Sequence, residues 1–108
     1  MLQHETLAGG AWQKLTLLAQ LGNIGSEIAR AREAEGRNDK FYWGAVIRAL
    51  ELFDLTLDDP RLKGRLWEIA RAREVFCDVV FGDKEYKTSL KDLTNYFDQF
   101  AYASRIKI

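Results

Sequence analysis

The chain has 108 residues, of which 47% are hydrophobic and 30% are charged, and these values suit one globular domain. Sixteen basic residues balance sixteen acidic ones, so no overall field favours nucleic acid or an anionic membrane. The single cysteine excludes an internal disulfide, and the single proline argues against turn-rich β-sandwiches and barrels. No apolar run approaches the roughly 20 residues that span a bilayer, and we expect a cytoplasmic protein.

The first predicted helix runs from about residue 12 to residue 35. It follows a flexible leader over residues 1–11, and a single domain is predicted to span residues 12–108. The helix is indicated by apolar residues at spacings of 4, 3, 4 and 3, which line one helix face. These residues are Leu17, Leu21, Ile24, Ile28 and Ala31.

A strip of small residues lies beside that apolar face, formed by Gly22, Gly25, Ser26 and Ala29. Each glycine inside a helix costs roughly 1 kcal/mol relative to alanine, so some contact must favour it. The strip predicts close packing against another backbone. Three neighbours are possible for this strip: a helix of the same bundle, a helix of a partner, or a ligand that lies over the bare backbone.

The second predicted helix, over residues 40–57, is unusually apolar. From Phe41 to Leu57, 12 of 17 residues are apolar, whereas a helix with one buried face needs about three in seven. Three consecutive aromatic side chains fan over about 200° and cannot share one core. We therefore predict a homo-oligomer whose interface lies on this helix, with Tyr42 or Trp43 near its centre. The predicted interface residues are Phe41, Tyr42, Trp43, Ile47 and Leu55.

Two further helices complete the predicted fold. Asp59 before Pro60 is typical of a helix start, so the third helix is predicted over residues 60–81. Ser89 with Asp92 three residues later resembles a capping box and predicts a fourth helix over residues 89–103. Short connections favour an all-α, antiparallel up-down four-helix bundle.

The third helix opens with basic residues, and two interpretations stay open. Either the aspartates before Pro60 neutralise these cations, or the cations form an anion- or nucleic-acid-binding edge. Trp67 and Arg71 are four residues apart, so they could stack and extend that edge. The candidate edge consists of Arg61, Lys63, Arg65, Trp67 and Arg71.

Catalytic signatures are largely missing from the sequence. The only histidine, His4, lies in the predicted leader, so no histidine serves as a general base inside the fold. Cys77 lies between Phe76 and Asp78, and we interpret it as a packing residue because a reactive thiol needs a positive neighbourhood. We expect neither enzymatic activity nor a cofactor or metal.

The sequence Glu-Ile-Ala-Arg-Ala-Arg-Glu occurs twice, at residues 27–33 and 68–74. A duplicated helical hairpin would place such copies in the first and third helices. The alternative is two independent occurrences, because alanine, glutamate and arginine are all good helix formers.

The segment from Gln20 to Phe41 resembles the small four-helix-bundle proteins that are encoded by intervening sequences of bacterial 23S rRNA genes. The matching features are Asn23-Ile24 in the first helix, Glu35-Gly36-Arg37 at its end, and Phe41 at the start of the second helix. The resemblance implies an oligomeric bundle with a nucleic-acid role.

Two functional hypotheses follow from these patterns. The leading one is a non-enzymatic helical module that self-associates and scaffolds a protein partner. The alternative is a small bundle that binds RNA or DNA. The apolar second helix favours the first hypothesis, and the basic start of the third helix favours the second.

Overall fold

The computed structural model describes residues 10–82 and 87–106 and contains four α-helices. They are α1 (Leu17–Ala34), α2 (Asp39–Leu57), α3 (Leu66–Phe81) and α4 (Leu90–Ile106). Short 3-10 helices at Trp12–Lys14 and Pro60–Gly64 precede α1 and α3. The described ranges contain no strand, and the all-α class is confirmed. The predicted leader lies outside the described residues except for residues 10 and 11, and so does His4.

Contacts between neighbouring helices confirm the antiparallel up-down arrangement. Arg48 of α2 binds Glu27 of α1, and Arg73 of α3 binds Asp54 of α2. Tyr96 of α4 donates a hydrogen bond to Glu68 of α3. Helix α4 then returns to α1, which packs most closely against α2 and α4.

The helix ends follow from the capping residues. Asn38 begins α2 by accepting a hydrogen bond from the amide of Phe41 at 3.1 Å. Gly82 ends α3 with φ of 94°, a conformation that favours glycine. The capping box of α4 is confirmed, because Ser89 and Asp92 each accept a hydrogen bond from the other's amide.

Three predicted boundaries are wrong. The first α-helix begins at Leu17 rather than Trp12, because Leu15 is extended and Thr16 caps the helix. The third begins at Leu66 rather than Pro60, because Arg65 leaves helical geometry after the weak helix former Gly64. The fourth continues to Ile106 rather than ending at Ala103, since no glycine or proline interrupts it there.

Three buried phenylalanines join the helices in the core. The Phe53 ring of α2 lies 5.9 Å from Phe76 of α3 and 5.8 Å from Phe97 of α4, measured between ring centroids. Helix α1 supplies the aliphatic wall of this core with Leu21, Ile24 and Ile28, which are all buried. The sides of α2 and α3 that face away from this core are exposed to solvent and carry large apolar side chains.

Candidate interaction surfaces

The solvent-facing side of α2 carries large apolar groups. Trp43 and Ile47 lie one turn apart and are 42% and 49% exposed. The Trp43 ring stacks on Phe81 at the end of α3, with ring centroids 6.0 Å apart and planes at 26°. Phe81 is itself exposed. We call this surface the outer α2 face and define it by Lys40, Trp43, Gly44, Ile47, Leu50, Glu51 and Asp54, of which Leu50 and Glu51 are half-buried.

The five predicted interface residues are divided among several surroundings. Trp43 and Ile47 lie on the outer α2 face. Phe41 is 67% exposed, but it lies on the side of α2 that faces α1. Tyr42 and Leu55 are half-buried against the core. Burial, and to a lesser degree Glu35, raises the pKa of Tyr42.

The strip of small residues on α1 contacts α4 of the same chain. A Cβ atom at Gly25 would lie 2.6 Å from Cβ of Phe97, and one at Gly22 would lie 3.1 Å from Cα of Ala101. Ser26 is exposed and donates a hydrogen bond to the carbonyl of Gly22 at 3.2 Å, while Ala29 is half-buried. The two glycines thus allow α1 and α4 to approach closely.

A cleft of about 570 Å³ separates the end of α1 from the start of α2, and we call it the arginine cleft. Its two paired arginines share the buried carboxylate of Glu27, which accepts from Arg30 at 2.9 Å and from Arg48 at 3.1 Å. Exposed Phe41 lies at its edge. The lining residues are Arg30, Glu33, Ala34, Arg37, Asn38, Phe41 and Arg48.

The candidate basic edge at residues 61–71 is dispersed. The guanidinium group of Arg61 binds Asp59 at 2.7 Å and the carbonyls of Gln13 and Leu15. Arg65 pairs with Glu68 at 3.3 Å and lies over the Phe100 ring.

The remaining members of the edge keep exposed positions. Lys63 is exposed on the 3-10 helix, and Trp67 is 76% exposed. The guanidinium carbon of Arg71 lies 5.8 Å from the centroid of the Trp67 ring, so these two residues do stack. Arg61 binds Asp59, one of the two aspartates of the neutralised interpretation, whereas Arg65 pairs with Glu68 instead.

An apolar groove of about 390 Å³ lies between α3 and α4. Val75 and Leu93 line it, and Trp67 and Tyr96 stand at its sides. Burial, followed by the hydrogen bond to Glu68, raises the pKa of Tyr96. The sequence pattern did not predict this groove, because it depends on the separation of two helices and not on the face of one.

A buried polar cluster, here called the polar clamp, joins the chain before α1 to the end of α2. Trp12 donates its indole N–H to Thr56 at 3.0 Å. The Gln20 amide donates to the Trp12 carbonyl at 3.0 Å and to Asp59 at 3.1 Å. Hydrogen bonds from Arg61 hold the pKa of Asp59 well below its usual range. The clamp fixes the irregular segments and was not predicted.

Metal and thiol chemistry find little support in the described residues. Residues 10–82 and 87–106 contain no cluster of His, Cys, Asp or Glu side chains that could hold a metal ion. Cys77 is half-buried, and this burial raises the pKa of its thiol. The charge of Arg73 lowers that pKa to a smaller extent, and the charge of Asp54 raises it further.

Among residues 10–82 and 87–106, no helix combines the length and apolar character that a membrane span needs.

Comparisons with models of protein families, with curated proteins and with solved structures found no match to this chain. The resemblance to the bundle proteins of rRNA intervening sequences stays a prediction.

Proposed function

We propose that the protein is a non-enzymatic helical module that self-associates through the outer α2 face and scaffolds a protein partner. The observation that carries this proposal is the stacked pair of Trp43 and Phe81, which leaves both rings substantially exposed beside exposed Ile47. Folding of the described residues therefore does not complete the burial of these side chains.

Physical chemistry favours a protein surface as the cover for this patch. A tryptophan side chain presents roughly 150–250 Å² of area, and contiguous exposed apolar patches mark interaction sites. Aromatic anchors dominate the centres of protein interfaces. A second copy of the chain supplies the same patch at equal concentration, so self-association is the simplest way to bury it.

The α3–α4 groove supports the scaffolding part of the proposal. The groove lies between α3 and α4, whereas the outer α2 face lies on α2. A module that self-associates through α2 would therefore leave the groove accessible to a partner. Its apolar lining with Trp67 and Tyr96 at the sides suits an apolar segment of a partner protein.

Sedimentation of matched tryptophan variants tests where the chain self-associates. We expect the native protein to exceed the mass of one chain and Trp43→Glu to sediment as a monomer. The control is Trp67→Glu, which places the same charge at another exposed tryptophan and should leave the mass unchanged. A monomeric native protein would contradict the proposal, and loss of assembly only in Trp67→Glu would move the interface to the α3–α4 groove.

A second candidate function is nucleic-acid binding, which the arginine cleft favours. Phe41 offers an exposed ring on which a base could stack, and Arg30, Arg37 and Arg48 line the same cleft. Arginine side chains suit phosphate oxygens because their donors form a planar fork. These residues support the junction of α1 and α2 as the candidate nucleic-acid surface.

A salt titration with single-stranded RNA of mixed sequence tests this function. Phosphate contacts make affinity fall steeply with salt. We expect Arg37→Ala and Phe41→Ala to weaken binding several-fold, and the control Lys63→Ala to leave it unchanged. Absence of binding at low salt would contradict nucleic-acid binding. If only Lys63→Ala weakened binding, the nucleic-acid surface would lie on the basic edge at residues 61–71 and not in the arginine cleft.

A further inference from the structure

We propose that two copies of the chain pair through antiparallel α2 helices, with the two-fold axis passing beside Ile47. The inference rests on the proposed self-association and specifies its geometry. It is supported by three independent features of the outer α2 face, namely the position of its apolar residues, the placement of its charges, and Gly44.

The apolar residues of this face form a seam centred on Ile47. Trp43 precedes Ile47 by four residues, and Leu50, which is half-buried against the core, follows it by three, so all three lie within one side of the helix. Ile47 lies opposite the buried residues Ala45, Ala49 and Thr56. In an antiparallel pair about Ile47, Trp43 of one copy lies beside Leu50 of the other.

The charges at the two ends of the seam are opposite in sign. Lys40 lies seven residues before Ile47 and Asp54 lies seven residues after it, and both are exposed. The side chain of Asp54 stays 62% exposed although one of its oxygens binds Arg73. Antiparallel pairing brings each Lys40 to the Asp54 of the other copy. Parallel pairing would instead place like charges together at both ends, which is unfavourable.

Gly44 lies inside the seam, and packing among residues 10–82 and 87–106 does not account for it. A Cβ at Gly44 would meet only Nη1 of Arg48, at 3.4 Å, which is the far end of a flexible side chain. A glycine inside a helix costs roughly 1 kcal/mol relative to alanine. A second helix that approaches closely at this position would explain its presence.

Disulfide trapping distinguishes the two directions of pairing. In the Cys77→Ser background, Ile47→Cys should cross-link to itself under mild oxidation, because the axis brings the two copies of residue 47 together. Lys40→Cys and Asp54→Cys should each fail alone, since a helical rise of about 1.5 Å per residue separates the identical positions by about 21 Å. An equimolar mixture of these two variants should cross-link.

Charge exchange gives a second measurement that needs no covalent bond. Lys40→Glu and Asp54→Lys should each weaken association about tenfold, because each dimer contains two of the exposed pairs. An equimolar mixture of the two variants should recover at least part of the affinity, and Lys63→Glu serves as the control that changes nothing.

The outcomes separate the geometry from the self-association on which it rests. A native protein that sediments as a monomer would overturn both. A native oligomer in which Lys40→Cys cross-links to itself would overturn the antiparallel geometry alone and indicate parallel pairing. A native oligomer in which no position of the outer α2 face cross-links would overturn this interface and leave self-association in place.

Discussion

Gly25 on α1 and Gly44 on α2 occupy similar positions in helix interiors but meet opposite surroundings. A side chain at Gly25 would collide with Phe97 of α4, whereas a side chain at Gly44 would meet only the end of Arg48. Gly25 is buried, and Gly44 is half-buried on the solvent side of its helix. Contacts among the described residues thus require a glycine at position 25 and do not require one at position 44.

The two glycines distinguish a contact made by folding from a contact that we propose is left for assembly. Where the chain closes a contact on itself, substitution should change stability at any protein concentration. Where the contact is left open, substitution should change association and leave the single chain intact.

Gly25→Leu should be the most damaging change to the fold. Its Cβ alone would lie 2.6 Å from Cβ of Phe97, so α1 and α4 must separate. Overpacking of this kind costs typically 1–3 kcal/mol, and we expect about 3 kcal/mol in urea unfolding. Gly64→Ala is the matched control, because no atom lies within 4 Å of its added Cβ. An unchanged unfolding midpoint for Gly25→Leu would show that α1 and α4 do not pack as described.

Asp59→Asn should destabilise the polar clamp by about 2 kcal/mol, since hydrogen bonds to charged groups contribute roughly 1.5–3 kcal/mol. Asp59 accepts hydrogen bonds from Arg61 and from Gln20, and these anchor the segment before α1. Asp58→Asn is the control at an exposed neighbouring carboxylate. Equal effects of the two changes on the urea midpoint would contradict the role given to the clamp.

The clamp also predicts how stability depends on pH. Hydrogen bonds from Arg61 lower the pKa of Asp59 in the folded protein. A carboxyl with a lowered folded pKa contributes stability that is fully present above its unfolded pKa of about 3.9 and is lost as the pH falls below it. Urea midpoints measured from pH 7 to pH 2 should fall in acid, and less steeply for Asp59→Asn. A parallel fall in both proteins would assign the acid sensitivity to other carboxylates.

Gly44→Ala should have the smallest effect and the opposite sign. At dilutions where the chain is monomeric, we expect stability to rise by about 1 kcal/mol, because alanine favours the helix and space is available. At high concentration, sedimentation should show weaker association. A loss of stability in the dilute protein would mean that Gly44 serves the fold, and the comparison with Gly25 would then fail.

The helices could be predicted because their signals are local. Period-3.6 apolar residues, Asn38, Gly82 and the Ser89–Asp92 box each act within a turn or two of their own position. The boundaries near Trp12 and Pro60 were wrong because the polar clamp holds these segments, and its members come from distant parts of the chain. Gln20 and Thr56 look like ordinary polar residues until folding buries both.

The candidate surface was predicted in part for a related reason. The excess of apolar residues in α2 predicts exposed apolar side chains on this helix, and Trp43 and Ile47 are exposed. The interface itself stays a prediction. Tyr42 and Leu55 are half-buried against the core, because the neighbouring helices determine which side of α2 faces it.

The two copies of Glu-Ile-Ala-Arg-Ala-Arg-Glu show the same limit within identical sequences. Ile28 and Ile69 are both fully buried, as their shared position predicts. The leading glutamates differ, because Glu27 is buried with two arginines while the side chain of Glu68 is 43% exposed. The local sequence predicts which side of each helix is buried, whereas the neighbouring helix determines how exposed the residues at the boundary of that side are.

The position of α1 between α2 and α4 has a consequence for the order of folding. Helix α2 follows α1 after a short turn, whereas α4 must close a loop of more than fifty residues to reach it. Contacts between distant residues form later when loop closure opposes them. We expect Val46→Ala, in α2, to slow refolding and Phe97→Leu, in α4, mainly to speed unfolding, as measured by stopped-flow fluorescence. Until α4 docks, the groove of Gly22 and Gly25 would stay open to another chain's fourth helix, which makes exchange of α4 between copies the characteristic folding error of this topology.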